Sequence, residues 1–435
     1  MLPKISAKLI MLVLVLLIGT MWLLIYRVPD RLTPSPTPAL VPAANMGFTE
    51  YIEENRRRIQ SVLTDIRFSK ETAPFGPEYG LNEVVNMRSP FQFLPDAQRC
   101  DDAGSLNRTG ILIAHGLTDS PYLTRTLGES LAALYPCAII RGLLTPGHGT
   151  VPGDLLDVTL TDWRQTFSWG VDSFPEDVES IVTIGYSNGA ALALDYVQSK
   201  NRNDGTTSRI TKLIAISPGL QSTNPNAQLG VWLQYVWPWL YKRGDNDAAK
   251  YESFPTHAGA IFYQLTESVR THSKEITIPS LFVISADDST TRSDVVIDFF
   301  CNRITNTNKE LLLFENKLDL ALSYDNCAGI EPITANDTPD RFKSFTHVGL
   351  TLPMTDSHYG LDGNYPVCLS HEDFPERLRQ CKQDNSGSVY AETSLMDTDG
   401  LLAGSIVRRS SFNPSYSELI THIQCFIDAN CDTGQ

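Results

Sequence analysis

The sequence predicts an α/β fold with a mostly parallel central sheet flanked by helices, and three observations lead there. Short apolar runs alternate with stretches of helical periodicity through the middle of the 435-residue chain. Glycines close several of those runs. One run passes through a tight glycine turn straight into a small-residue helix, the order expected of strand, turn and buried helix.

Taken in order, residues 110–115 (GILIAH) read as a buried strand ending at a glycine turn. Residues 123–134 have helical periodicity, and 137–141 (CAIIR) form the next strand. A helix over 163–174 precedes a strand over 178–184 that stops at Gly185, and a helix follows over 190–199. ITKLIAI (210–216) and IPSLFVIS (278–285) are two further strands, with two more over 311–314 and 342–345. Near-continuous apolar runs belong to strands covered on both faces. In such a sheet, functional groups collect in loops at the carboxyl ends of the strands.

Residues 218–277 break the rhythm. Trp232, Trp237 and Trp239 fall within eight residues, close to Tyr235, Tyr241, Phe254, Phe262 and Tyr263. The block predicts a helical cap whose apolar residues wall a pocket over the sheet's functional edge, although ordinary helix-to-core packing would use the same side chains. Residues 48–64 have the spacing of an added helix, so the folded unit spans 48–435. No internal repeat is present.

The N-terminus is of another kind. Residues 9–26 are all apolar or small, with Lys4 and Lys8 before them and Arg27, Asp30 and Arg31 after. A helix of that length spans roughly 27 Å, close to the hydrocarbon thickness of a bilayer. The run stays bulky to its end at Trp22 and Tyr26, and no small-residue cleavage site adjoins it. The expectation is a retained single-pass anchor (9–26) behind a short cytoplasmic segment (1–8), then a Pro-rich tether (27–47).

The eight cysteines all lie beyond residue 26, and no Cys-x-x-Cys occurs. Cys301 with Cys327, Cys368 with Cys381, and Cys425 with Cys431 would close loops, and Cys100 and Cys137 stand where adjacent strands begin. An even, locally paired set favours a disulfide-permissive compartment, periplasmic or extracellular. A formal charge of −15 argues against nucleic acid as a partner, since phosphate binding needs clustered Lys and Arg.

The chemistry centres on Gly185-Tyr186-Ser187-Asn188-Gly189, a G-x-S-x-G set between an apolar strand and a small-residue helix. The tight turn lifts the Ser187 hydroxyl clear of the sheet, and Gly185 and Gly189 admit the backbone that must come close. A serine hydroxyl needs a histidine to take its proton and an acid to hold that histidine. Two backbone donors must also face the oxyanion. Asn188 N–H follows the nucleophile directly, and Leu117 N–H in His115-Gly116-Leu117 is the candidate for the second.

The segments IAHGLTDSP, TPGHGT and GYSNGA, in this order, resemble the α/β-hydrolase superfamily, and most of all bacterial carboxylesterases and monoacylglycerol-lipase-like members. The resemblance runs over about 110–350, with a last helix near 416–427. It implies ester hydrolysis without a cofactor, with serine, acid and histidine in that chain order. Within SADDSTT it points to Asp288 as the acid, with Asp287 the alternative. His347 in KSFTHVGL is the expected base and His358 in DSHYG the rival. His115 and His148 are expected to support their loops. Neither has the spacing of a metal ligand, so no metal is expected.

The expected activity is carboxylic-ester hydrolysis on acyl or lipid-like substrates. The same triad would serve an amide or peptide hydrolase, and a non-catalytic membrane-tethered scaffold is the reading from a different class. Residues 361–411 have no counterpart in the simple pattern and form an insertion before the last helix.

Overall fold

The computed structural model describes Met11, Leu402 and residues 28–65, 79–96, 98–100, 109–200, 208–315, 327–334, 339–383, 387–397 and 404–429. Eight strands form one sheet: β1 (Phe91–Phe93), β2 (Thr109–Ala114), β3 (Ile139–Leu143), β4 (Ser180–Tyr186), β5 (Ile210–Ile216), β6 (Ser280–Ser285), β7 (Lys309–Glu315) and β8 (Ile330–Thr334). Their order is β1-β3-β2-β4-β5-β6-β7-β8. Only β1 runs antiparallel to its neighbour. Chain order reverses around β2, which lies between β3 and β4, and open parallel sheets bind ligands at such a switch point.

Alternation along each strand divides the core. Leu112 and Ala114 face one layer with Trp163 and Phe167 of helix α4 (Leu160–Asp172) and the small residues of α5 (Asn188–Lys200). Ile111 and Ile113 face the other, against Leu123, Leu127 and Leu131 of α3 (Tyr122–Leu134) and Leu419, Ile423 and Phe426 of α10 (Tyr416–Asp428). The remaining helices are α1 (Phe48–Asp65), α2 (Leu81–Arg88), α6 (Gly230–Leu233), α7 (Thr256–Thr271), α8 (Ser293–Arg303) and α9 (Pro375–Gln383). Helix α1 buries Phe48, Tyr51, Ile59 and Val62. The Tyr51 hydroxyl donates to the Leu144 carbonyl (2.6 Å) and accepts from the Leu144 N–H (3.1 Å), tying the helix to the loop after β3.

Three expectations need correction. Residues 342–345 are not a strand. The edge next to β7 is taken by β8, whose Pro332 suits an edge position. Phe342 and Phe345 instead pack against one another and against Phe314 and Phe412. The described part of the Pro-rich stretch is not a free tether. Leu32 is buried, Ser35 N–H donates to Asp154, and the buried Arg58–Asp154 pair (2.6 Å) receives the chain through the Thr37 and Pro38 carbonyls.

The cap region is also less helical than its aromatic content predicts. It holds the one-turn α6, the longer α7, and a pairing of Trp239–Tyr241 with Phe254–Pro255. Trp239 is buried, but Trp232, Tyr235 and Trp237 are 76%, 81% and 62% exposed, so they face outward and do not wall a pocket.

Disulfides join Cys100 to Cys137, Cys301 to Cys327 and Cys368 to Cys381, with Cα separations of 4.9, 5.6 and 6.0 Å. Cys425 is also disulfide-bonded, and Cys431, its expected partner, lies outside the described residues. Among the described residues no helix is long and apolar enough to cross a membrane. The expected anchor at 9–26 lies, Met11 apart, outside them.

Candidate active site

The site forms where β2 and β4 end side by side, with Ala114 paired to Gly185. Ser187 occupies the turn from β4 into α5 with φ +53°, a left-handed conformation costly for a residue with a side chain. Three backbone bonds hold it there. Ser187 N–H donates to Ile216 O (2.9 Å), and Ser187 O accepts from Gly219 and Ala191 N–H (both 3.1 Å). A methyl group on Gly189 would lie 2.2 Å from the Ala114 carbonyl oxygen, and one on Gly185 2.3 Å from Ala190 Cα. The two glycines let β2 and α5 close around the turn.

His347 meets the nucleophile from the other side. Its Nε2 lies 2.9 Å from Ser187 Oγ, and its Nδ1 2.6 Å from Asp288 Oδ2. Asp288 Oδ1 accepts from the N–H groups of Thr290 (2.7 Å) and Thr291 (2.8 Å), and Oδ2 from Thr291 Oγ1 (2.9 Å). Burial works to raise the Asp288 pKa. The facing His347, by charge and hydrogen bond, and the two backbone N–H donors outweigh it and hold the carboxyl below its ordinary value. Ser217 Oγ donates to the His347 carbonyl (3.0 Å), which fixes the loop that carries the imidazole.

The alternatives lie elsewhere. Asp287 is buried next to the site, and its N–H donates to Ser285 Oγ (3.1 Å), while the carboxylate bonded to His347 Nδ1 is that of Asp288. His358 is fully buried in a cluster of its own, with Nε2 3.0 Å from Asp247 and Nδ1 2.9 Å from the Tyr79 hydroxyl.

The loop after β2 faces the nucleophile. A methyl group on Gly116 would lie 2.3 Å from Asp119 Oδ2 and 3.1 Å from Ser187 Cβ, so a side chain there would crowd both. Among the described residues no protein acceptor takes the Leu117 or Asn188 N–H, as donors turned toward a ligand oxygen require. Burial lowers His115 to about 3 and His148 to about 4, so both rings are neutral at pH 7. As neutral rings they accept from backbone: Thr145 N–H donates to His115 Nε2 (3.0 Å), and Thr118 N–H to His148 Nε2 (3.1 Å). Together they join the loops after β2 and β3. Phe262 of α7 packs over Gly219, beside the Ser187 backbone, and sets an apolar ring from the cap at the site.

Two features escaped the sequence reading. Thr291 places its hydroxyl against Asp288 (2.9 Å) and 3.4 Å from His347 Nδ1. Asp119, inside IAHGLTDSP, brings its carboxylate 2.3 Å from where a Gly116 methyl would stand, on the flank of Ser187. Lys250 lies 3.9 Å away. Burial pushes Asp119 up to about 6, against the opposing pull of Lys250. A carboxyl raised in the folded state binds its proton more tightly there than in the unfolded chain. It therefore removes stability as pH climbs from about 4 to about 6, by up to about 3 kcal/mol for a two-unit shift. Asp119→Asn is expected to melt progressively higher than wild type through that interval, with a constant gap above it. Parallel thermal melts from pH 4 to 8 check this, and a gap that does not change with pH would refute it.

Among the described residues the one His/carboxylate group close enough to share a cation is Glu310, Glu331 and His422, on β7, β8 and α10 and apart from the triad. Its contacts are those of an ion-pair cluster, with His422 Nδ1 3.3 Å from Glu310 and Nε2 4.0 Å from Glu331.

A parallel sheet with this strand order, a strained serine between strand and helix, and an acid and histidine delivered by later loops make up an α/β-hydrolase fold. No family model matches it. The chain is similar to the thermostable monoacylglycerol lipase of Bacillus sp. (strain H-257), at 26% identity over 224 residues, which cover 51% of this chain and 87% of that lipase. Similar solved structures include a metagenome-derived lipolytic enzyme (21% identity, TM-score 0.44, 52% of this chain and 87% of that one). Another is the Paleococcus ferrophilus monoacylglycerol lipase (18% identity, TM-score 0.41, 52% and 88%).

Proposed function

We propose that the protein hydrolyses carboxylic esters with an acyl or lipid-like part through an acyl-enzyme on Ser187. The observation that carries this is the unbroken path of hydrogen bonds from Asp288 through His347 to Ser187 at a strained turn. His347 Nε2 takes the hydroxyl proton as Ser187 Oγ bonds to the acyl carbon. The carbonyl electrons move to the oxygen, which the Leu117 and Asn188 N–H groups receive. His347 then passes its proton to the leaving alcohol oxygen as that bond breaks. Water, deprotonated by the same imidazole, releases the acid and restores the serine. Asp288 stays ionised throughout and stabilises the imidazolium.

An apolar substrate is favoured by Phe262 beside the nucleophile and by the curated relative, a monoacylglycerol lipase. The same reading puts residues 9–26 in a bilayer, with the folded unit on its periplasmic or extracellular side. Two contacts support that arrangement. Arg31 binds Asp245 (3.0 Å) and the Arg243 carbonyl (2.7 Å), so the chain leaves the expected anchor against the base of the cap. Nearby, Trp232, Tyr235, Val236 and Trp237 form an exposed apolar tip suited to a lipid interface.

The test is an assay of carbonate-washed membranes bearing the full chain, with p-nitrophenyl esters of graded acyl length. Activity is expected to sediment with the membranes and to change by about tenfold or more across the series, since each buried methylene contributes about 0.8 kcal/mol. Equal rates on short and long esters would reject the lipid-like substrate. Full release by carbonate would reject the anchor.

A further inference from the structure

Residues 361–411 lie outside the hydrolase pattern, between the His347 loop and α10, and the mechanism above makes no use of them. We infer that this insertion is a brace that holds the acid loop and the base loop in register, with Arg409 and Glu392 as positioning residues. The inference rests on the reading of Ser187, His347 and Asp288 as the reacting groups.

Two parallel strands, Ser388–Ala391 and Ile406–Arg409, form the brace. On the base side, Tyr390 N–H donates to Arg341 O and Lys343 N–H to Tyr390 O, both at 2.8 Å, so residues 341–343 join its edge. Glu392 N–H donates to Ser344 Oγ (2.7 Å). Thr346, the residue before His347, donates its hydroxyl to the Ser410 carbonyl. A methyl group on Gly349 would meet the Ser410 and Phe412 carbonyls at 3.0 Å, so the loop is held closely on that side too.

On the acid side the link is a side chain. Arg409 grips Glu392 with Nε on one oxygen (2.9 Å) and Nη2 on the other (3.0 Å), and the same Nη2 donates to Thr290 Oγ1 (2.6 Å). Thr290 N–H is one of the donors to Asp288. One guanidinium thus joins the strand beside the base loop to the residue that orients the acid. Glu392 is fully buried, and the Arg409 side chain is 20% exposed. Their base is secured in turn: Arg409 N–H donates to Val367 O (2.9 Å), and Arg408 donates twice to the carbonyl of Cys381, which is bonded to Cys368.

Packing alone does not call for this arrangement. A buried ion pair is costly to desolvate, and apolar side chains of similar volume would join the two strands at least as well. What the pair adds is direction, because a planar guanidinium serving three acceptors fixes their relative positions. Placement matters here, since an ångström of misalignment between reacting groups can cost about a hundredfold in rate.

The experiment compares full-length wild type, Thr290→Val, Thr290→Ser and Arg409→Lys by the rate at which a fluorophosphonate labels Ser187. Thr290 is exposed, so valine there should not disturb folding, and a thermal melt checks that. In Thr290→Val the maximal labelling rate is expected to fall about tenfold while the half-saturating probe concentration stays within about twofold. Serine, which keeps the hydroxyl, should restore the rate. Arg409→Lys should be intermediate, because an ammonium cannot hold both Glu392 oxygens and Thr290 in one plane. Wild-type maximal rates in a folded Thr290→Val, or no rescue by serine, would overturn the brace. Wild type that fails to label at all is a separate result, which removes the functional reading and the brace with it.

Discussion

Ser187→Ala is expected to lose essentially all ester turnover, a fall of roughly 10⁶-fold in kcat, and all labelling by a fluorophosphonate. The size follows from the site. Every covalent step passes through the one oxygen that lies 2.9 Å from His347 Nε2. No neighbouring hydroxyl can replace it: Thr291 is bonded to the acid, and Ser217 donates to the His347 carbonyl. Folding should survive, because alanine also tolerates the turn at the cost of φ +53° that the chain already bears. The check is kcat on the best p-nitrophenyl ester together with a thermal melt. A folded Ser187→Ala that retains more than about a thousandth of wild-type kcat would place the nucleophile elsewhere.

Asp288→Asn should lower kcat by about 10⁴-fold while leaving KM and the melt close to wild type. The carboxylate accepts four hydrogen bonds, from two backbone N–H groups, Thr291 Oγ1 and His347 Nδ1. Two N–H donors to Oδ1 keep the amide oxygen there, so the NH₂ must occupy the Oδ2 position and face His347. The ring then presents Nδ1 as an acceptor and carries its proton on Nε2, where it cannot take the serine's. The geometry remains while the tautomer is wrong. Asp287→Asn, which leaves the Asp288–His347 bond in place, should change kcat by less than about tenfold. A reversal of these two outcomes, measured on the same ester series, would transfer the acid role to Asp287.

How much of this could be read beforehand depended on the range of the interaction concerned. The elbow was legible because its requirement is local. A strand of β-branched residues, a glycine, a serine and a glycine leading into Ala190-Ala191-Leu192 permit little else than a tight turn. The strands β2 to β7 were legible for a related reason, since a strand covered on both faces must be apolar almost throughout. Two disulfides, Cys301–Cys327 and Cys368–Cys381, were legible because each closes a loop between cysteines near in sequence.

What the sequence by itself determined, then, was the layered α/β fold, the serine turn and the loops facing it. Only tertiary structure decided which groups meet. Asp287 and Asp288 are adjacent and chemically identical, and the loop after β6 brings Asp288 to His347 Nδ1. His358 is as polar as His347 and lies only eleven residues beyond it, yet it is buried against Asp247. The outward face of Trp232 and Trp237, the place of 342–345 beneath the sheet edge, and the grip of Arg409 on Thr290 were likewise invisible. Each depends on contacts between segments far apart in the chain, and composition and periodicity carry information only about neighbours.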